Sequence, residues 1–115
     1  MKEIATTIEY RGEKYKAVFD LNVMEEIQDE YGSLEKWDDL MHGKDGEPNA
    51  KAIKFGFTAM LNEGIDIDND EHDAKRKPLT LKQVGRMITE IGLHNVAGKI
   101  EETVIASTKS DEKNG

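Results

Sequence analysis

Apolar and polar positions alternate with period two at the start of the chain and then change to helical spacing. Over Glu3–Tyr10, Ile4, Thr6, Ile8 and Tyr10 point one way and Ala5, Thr7 and Glu9 the other. With β-branched residues prominent, this predicts a strand. Arg11-Gly12-Glu13 reads as a short turn. Tyr15, Ala17 and Phe19 then share one face of a second strand, opposite Lys14 and Lys16, and the two strands make a β-hairpin. A lone hairpin is marginal in water, so helices must cover its face or its edges must pair with another copy.

From Asp20 onward the period is 3.6. Asp20 or Asn22 can cap a first helix, whose stripe is Val23, Met24, Ile27 and Tyr31; Glu25, Glu26, Asp29 and Glu30 occupy its wet face. Gly32 terminates it, and Ser33 supplies a simple cap for a second helix carrying Leu34, Trp37, Leu40 and Met41. In register with that stripe, Trp37, the only tryptophan, reads as a core or rim anchor more readily than as a ligand platform. His42–Pro48 is a loop by composition, and Asn49 caps a third helix with Ile53, Phe57, Met60 and Leu61 on one face. Gly56, inside that helix, implies a close approach by another backbone; Gly64 is expected to end the helix.

Ile65–Pro78 then reads as a long polar connection, functional or mobile by its length. Thr80 and Gln83 form a capping box for a fourth helix with Leu81, Val84, Ile88 and Ile91 along one face. Gly92 breaks it, and Leu93, Val96, Ala97, Ile100 and Val104 mark a fifth. The expected architecture is a single α+β domain over residues 1–108, an N-terminal β-hairpin packed on a small bundle of four to five helices. A disordered tail is expected over 109–115, where apolar residues are absent.

Charge sharpens this picture. The net charge of −8 resides between Asp20 and Glu47, where ten acidic residues face two lysines. A concentrated acidic surface disfavours phosphate backbones and suits either solvation or a basic protein partner. The chain has no cysteine, which excludes disulfides, thiol nucleophiles and cysteine-ligated zinc. No apolar run approaches membrane-spanning length and the first residues carry no apolar signal core, so a cytoplasmic location is expected.

Candidate chemistry is sparse. Asp66, Asp68 and Asp70 open like a calcium-binding loop, but Glu71 stands where that loop needs glycine and Lys77 where it needs a bidentate glutamate. His42 and His72 read as loop residues and His94 as exposed near the start of the last helix, with no metal-ligand spacing among them. No phosphate-binding glycine loop, nucleophile elbow or distinctive carboxylate pair is present. No catalytic, cofactor-binding or metal residue is therefore assigned, and an enzyme is the least supported of the readings.

The order of features carries more. Gly12, Tyr15, Phe19, Asp20 and Asn22 spell G-x-x-Y-x-x-x-F-D-x-N and lead into an acidic helix ending Tyr31-Gly32-Ser33. Phe57–Leu61 reads F-x-A-M-L, and Thr80, Leu81, Val84, Gly85 and Ile88 give T-L-x-x-V-G-x-x-I before a charged tail. Over residues 8–108 this pattern resembles the tail assembly chaperones of long-tailed bacteriophages and prophages, although Ile65–Pro78 is longer than that family leads one to expect. The resemblance implies a non-enzymatic protein of the host cytoplasm. Such a protein binds the helical tape-measure protein during tail morphogenesis and helps recruit tail-tube subunits, with no cofactor. A helix-binding chaperone needs an adaptable apolar groove, for which Met24, Ile27, Trp37, Met41, Phe57 and Met60 are the candidates; the competing reading is that they form the core. The alternative function is a host-encoded interaction or regulatory module of another partner, with the hairpin edges as its route to a homo-oligomer.

Overall fold

The computed structural model describes residues 5–44 and 46–114, with backbone alone for 109–114. Strands β1 (Ala5–Tyr10) and β2 (Glu13–Val18) form an antiparallel hairpin in which Ile8 faces Tyr15 and Tyr10 faces Glu13. Helices α1 (Leu21–Tyr31), α2 (Leu34–His42), α3 (Ala50–His72), α4 (Leu81–Ile91) and α5 (Leu93–Asn114) follow. The α+β architecture expected from the pattern is the one observed. Residues 1–4, and with them Ile4, lie outside the described residues.

Each element starts and stops for a local reason. Arg11 and Gly12 both take positive φ (52° and 80°), the conformation of a two-residue hairpin turn whose twist matches its strands. Glu90 on α4 holds the Arg11 guanidinium at 2.6 Å and ties the turn to the helices. The Asp20 carboxylate accepts from the Val23 N–H and caps α1, which settles the choice between Asp20 and Asn22. Ser33, Asn49 and Thr80 cap α2, α3 and α4 in the same way, and Gln83 completes the box at Thr80. Gly32, Gly43 and Gly92, all at positive φ, close α1, α2 and α4.

α3 is the axis of the fold: it packs against β2 and against each of the other four helices. Its length corrects the expectation that Gly64 ends it. Ile65 is buried, and it continues the stripe of Ile53, Phe57, Met60 and Leu61 by one more turn. Glycine is needed at 64 for another reason. The Lys16 carbonyl of β2 occupies the place where a Cβ on Gly64 would stand, so the strand can press directly onto the helix. Gly56 shows the same logic with a different neighbour: the Trp37 indole, not another backbone, lies where its Cβ would be. The indole N–H donates to the Ala52 carbonyl at 3.0 Å, and the ring stacks on Phe19 with centroids 6.4 Å apart. Trp37 is thus a buried anchor between the hairpin's exit, α2 and α3.

The stretch 65–78 is half helix and half strap. Residues up to His72 belong to α3, and Asp73 closes it in the left-handed conformation (φ 52°). Along a helix a two-residue step turns about 200°, so Asp66, Asp68 and Asp70 cannot converge on an ion. No metal-holding group occurs among the described residues. The remaining connection is held down by two asparagines spaced seven apart on α3. Asn62 bonds both the N–H and the carbonyl of Leu79 (2.7 and 3.0 Å), and Asn69 does the same for Arg76 (3.1 and 3.0 Å). Arg76 reaches on to the hairpin, stacking 4.6 Å from the Tyr15 ring centroid and donating to the Lys14 carbonyl.

α5 covers the hairpin from another side. The Thr103 and Thr6 hydroxyls bond each other, and Ser107 donates to the Phe19 carbonyl at 3.2 Å. Thr6 and its cross-strand partner Ala17 share the face that α5 meets, and Val18, on the opposite face of β2, is buried as well. The backbone of α5 continues to Asn114, through the stretch whose composition reads as a disordered tail. No described helix is long and apolar enough to cross a membrane.

The two close approaches give a paired expectation. Gly64→Ala should lower stability by about 1–3 kcal/mol by overpacking. Gly98→Ala in α5, where a Cβ meets nothing within 4 Å, should raise it by about 0.5–1 kcal/mol. Urea unfolding of the two variants checks both signs; a neutral Gly64→Ala would refute the tight contact of β2 with α3.

Candidate functional site

The six groove candidates do not lie together on an open surface. Ile27, Trp37, Met41, Phe57 and Met60 are buried in the core, and Met24 is half-buried against it. In this conformation a partner could reach only the edges of this set. What the structure does open is a crevice between α2 and α5. One hollow of about 310 Å³ is lined by Phe19, Leu34, Trp37 and Met41 below and by Val104 and Ile105 from α5. A second, of about 260 Å³, lies toward Pro48, Leu93 and Ala97. A shallower one runs over Gly98, Glu102, Ile105 and Ala106. Trp37 and Met41 are thus the two sequence candidates that contribute to it, at its floor.

His42 and Glu101 stand between the first two hollows and line both. His42 is the last residue of α2 rather than a loop residue, as His72 is the last of α3. Its Nδ1 lies 2.8 Å from the Asp38 carbonyl and its Nε2 3.0 Å from the Glu101 carboxylate. Each ring nitrogen thus faces an oxygen acceptor, an arrangement only the imidazolium satisfies with two N–H donors. The Asp38 carbonyl, and then Glu101, accordingly raise the His42 pKa above its ordinary value. The pair is a charge-assisted strut across the crevice. Sequence reading misses it because the partners are 59 residues apart; His94, by contrast, is exposed near the start of α5 as expected.

A second polar cluster gathers where α1 meets α3. Glu63 shares a hydrogen bond with Asp20 and accepts from the Asn22 amide at 2.9 Å. The Asp20 bond and partial burial, with the nearby charges of Asp20 and Asp66, push the Glu63 pKa up to about 7. Burial also raises Glu26 beside the same two aspartates. Asp20 is already committed as the α1 cap, so the protonated Glu63 acts as the donor that lets two carboxyls meet.

The hollow on the other side differs in sign. About 490 Å³ between α3 and α4 is lined by Ala50, Lys51, Lys54, Gly85, Ile88, Thr89 and Leu93, which brings lysines where the α2–α5 crevice brings acids. No family model, curated protein or solved structure matches this chain.

Glu63 and His42 set the pH response. Both folded-state pKa values are raised, so both contributions to stability are full at acidic pH and are lost as pH rises. For Glu63 the loss runs from its ordinary value of 4.5 through about 7; for His42 it begins above the ordinary 6.5. Glu63→Gln, which keeps a donor for Asp20 without titrating, should flatten the fall in thermal midpoint between pH 5 and pH 8 and exceed wild type at pH 8. Parallel curves for the two proteins would contradict the Glu63–Asp20 assignment.

Proposed function

We propose that the chain is a tail assembly chaperone of a long-tailed phage or prophage and binds the tape-measure protein in the host cytoplasm as the tail is built. One observation carries the proposal: the residues that spell the resemblance come in the order of a hairpin followed by capped helices. Gly12 turns the hairpin, Phe19 stacks on Trp37, Asp20 caps α1, Gly32 and Ser33 separate α1 from α2, and Thr80 caps α4. The pattern is thus one of joints, and it is in these joints that the reading finds its support.

The physical demands of the role support the same reading. A chaperone of a long amphipathic helix needs an acidic, well-solvated exterior and an apolar recess into which successive helical segments fit. The segment Asp20–Glu47 carries the acidic charge, and the α2–α5 crevice is an apolar recess beside it. The proposed role requires no bond-making step and no cofactor; tail-tube subunits are the expected second partner. The alternative of a host-encoded interaction module would use the same recess for a different protein.

Co-expression with a candidate tape-measure protein tests the proposal. The expected outcome is a complex that co-purifies and moves the tape-measure protein from the insoluble to the soluble fraction. A folded domain that leaves it insoluble and unbound would rule out the chaperone reading.

A further inference from the structure

We infer that the α2–α5 crevice is the docking site for one amphipathic helix whose apolar stripe is flanked by lysine or arginine. The inference rests on the helix-binding reading above and locates its site and the chemistry of its occupant.

Shape supports a helix. The hollows follow α5 from Leu93 to Ile105, a rise of about 18 Å. Three turns of an occupant would span that length and present side chains at i, i+3 or i+4, and i+7. The floor is apolar and fixed: Phe19, Trp37 and Met41 are buried in the core and cannot collapse into the space without unstacking the Phe19–Trp37 pair. The wall is not fully covered. Ile105 is 46% exposed beside the partly buried Leu34 and Val104, an apolar strip left to water in the chain by itself.

Charge selects the occupant. Glu35, Asp38, Glu101 and Glu102 line the crevice, and among the described residues no lysine or arginine does. Two histidines line it, His94 in the second hollow and His42, which is already engaged by Asp38 and Glu101. An acidic rim around an apolar floor favours a cationic amphipathic helix and repels an anionic one. It also disfavours a second copy of this chain, whose net charge is −8.

Trp37 is the only tryptophan and lines the first hollow, so its fluorescence reports occupancy. The probe is a tryptophan-free synthetic helix of about 20 residues with a leucine stripe and lysine flanks. Its control carries glutamate in place of every lysine. The lysine peptide should shift Trp37 emission on titration and bind the full chain at least tenfold more tightly than the control. Ile105→Asp should weaken it at least tenfold, and Glu35→Lys with Glu102→Lys should weaken it and flatten its salt dependence. These three positions are exposed, and circular dichroism confirms folding; if Ile105→Asp unfolds, the charge-reversal pair still decides. Equal binding of the two peptides, or variants within twofold of wild type, would overturn the inference. So would a dimer of the free chain that Ile105→Asp dissolves, because the occupant would then be a second copy. Tape-measure protein that still co-purifies with both variants would refute the crevice and leave the chaperone proposal standing. Peptide binding in the crevice without any tape-measure complex would do the reverse.

Discussion

The fold depends on how closely other elements can approach α3. At two points on that helix the side chain is reduced to hydrogen. At Gly64 the β2 backbone fills the vacated space through the Lys16 carbonyl, and at Gly56 the Trp37 indole does. The first contact seats the hairpin; the second seats α2 and, through the Phe19 stack, the exit of the hairpin into α1. Two glycines inside a helix cost about 1 kcal/mol each relative to alanine. That cost is offset by burying Phe57, Met60, Leu61 and Ile65 against the elements so admitted. A two-stranded hairpin has little stability alone, and here α3 and α5 supply what a third strand would otherwise provide.

Polar groups finish what the core begins. Asn62 and Asn69 bind the backbone of the returning segment much as a neighbouring strand would, so the passage from α3 to α4 runs close to the helix without regular structure of its own. His42 and Glu101 brace α2 against α5 while leaving the space on either side open. The result is a molecule tightly packed around α3 and loosely closed along α5. That difference leaves apolar side chains open along the α2–α5 crevice.

Local structure was legible in the sequence to the extent that it was locally caused. Caps at Asp20, Ser33, Asn49 and Thr80, and stops at Gly32 and Gly92, are written in the few residues around them. Gly64 was not legible as a helix interior, because the same residue serves as a terminator or as a contact point and only the distant Lys16 distinguishes the two. Ile65, one turn further along the stripe, was the available signal. Leu40 and Leu81 fit their stripes by spacing but are exposed, whereas Val18 lies off its strand's apolar face and is buried. Burial is decided by which neighbour arrives, and periodicity does not contain that. The same limit explains the candidate site. Composition marked Met24, Ile27, Trp37, Met41, Phe57 and Met60 as adaptable and apolar, but the core claims five of them, and the open surface is made by Val104 and Ile105 with the His42–Glu101 strut.

The most direct test of the account is amide hydrogen exchange on the chain, free and in complex with tape-measure protein. The account predicts slowed exchange concentrated in 34–42 and 97–106, the two walls of the crevice, with α3 equally protected in both states because it is already buried. Protection confined to β1, or no complex on which to measure it, would contradict the proposal that a partner helix docks between α2 and α5.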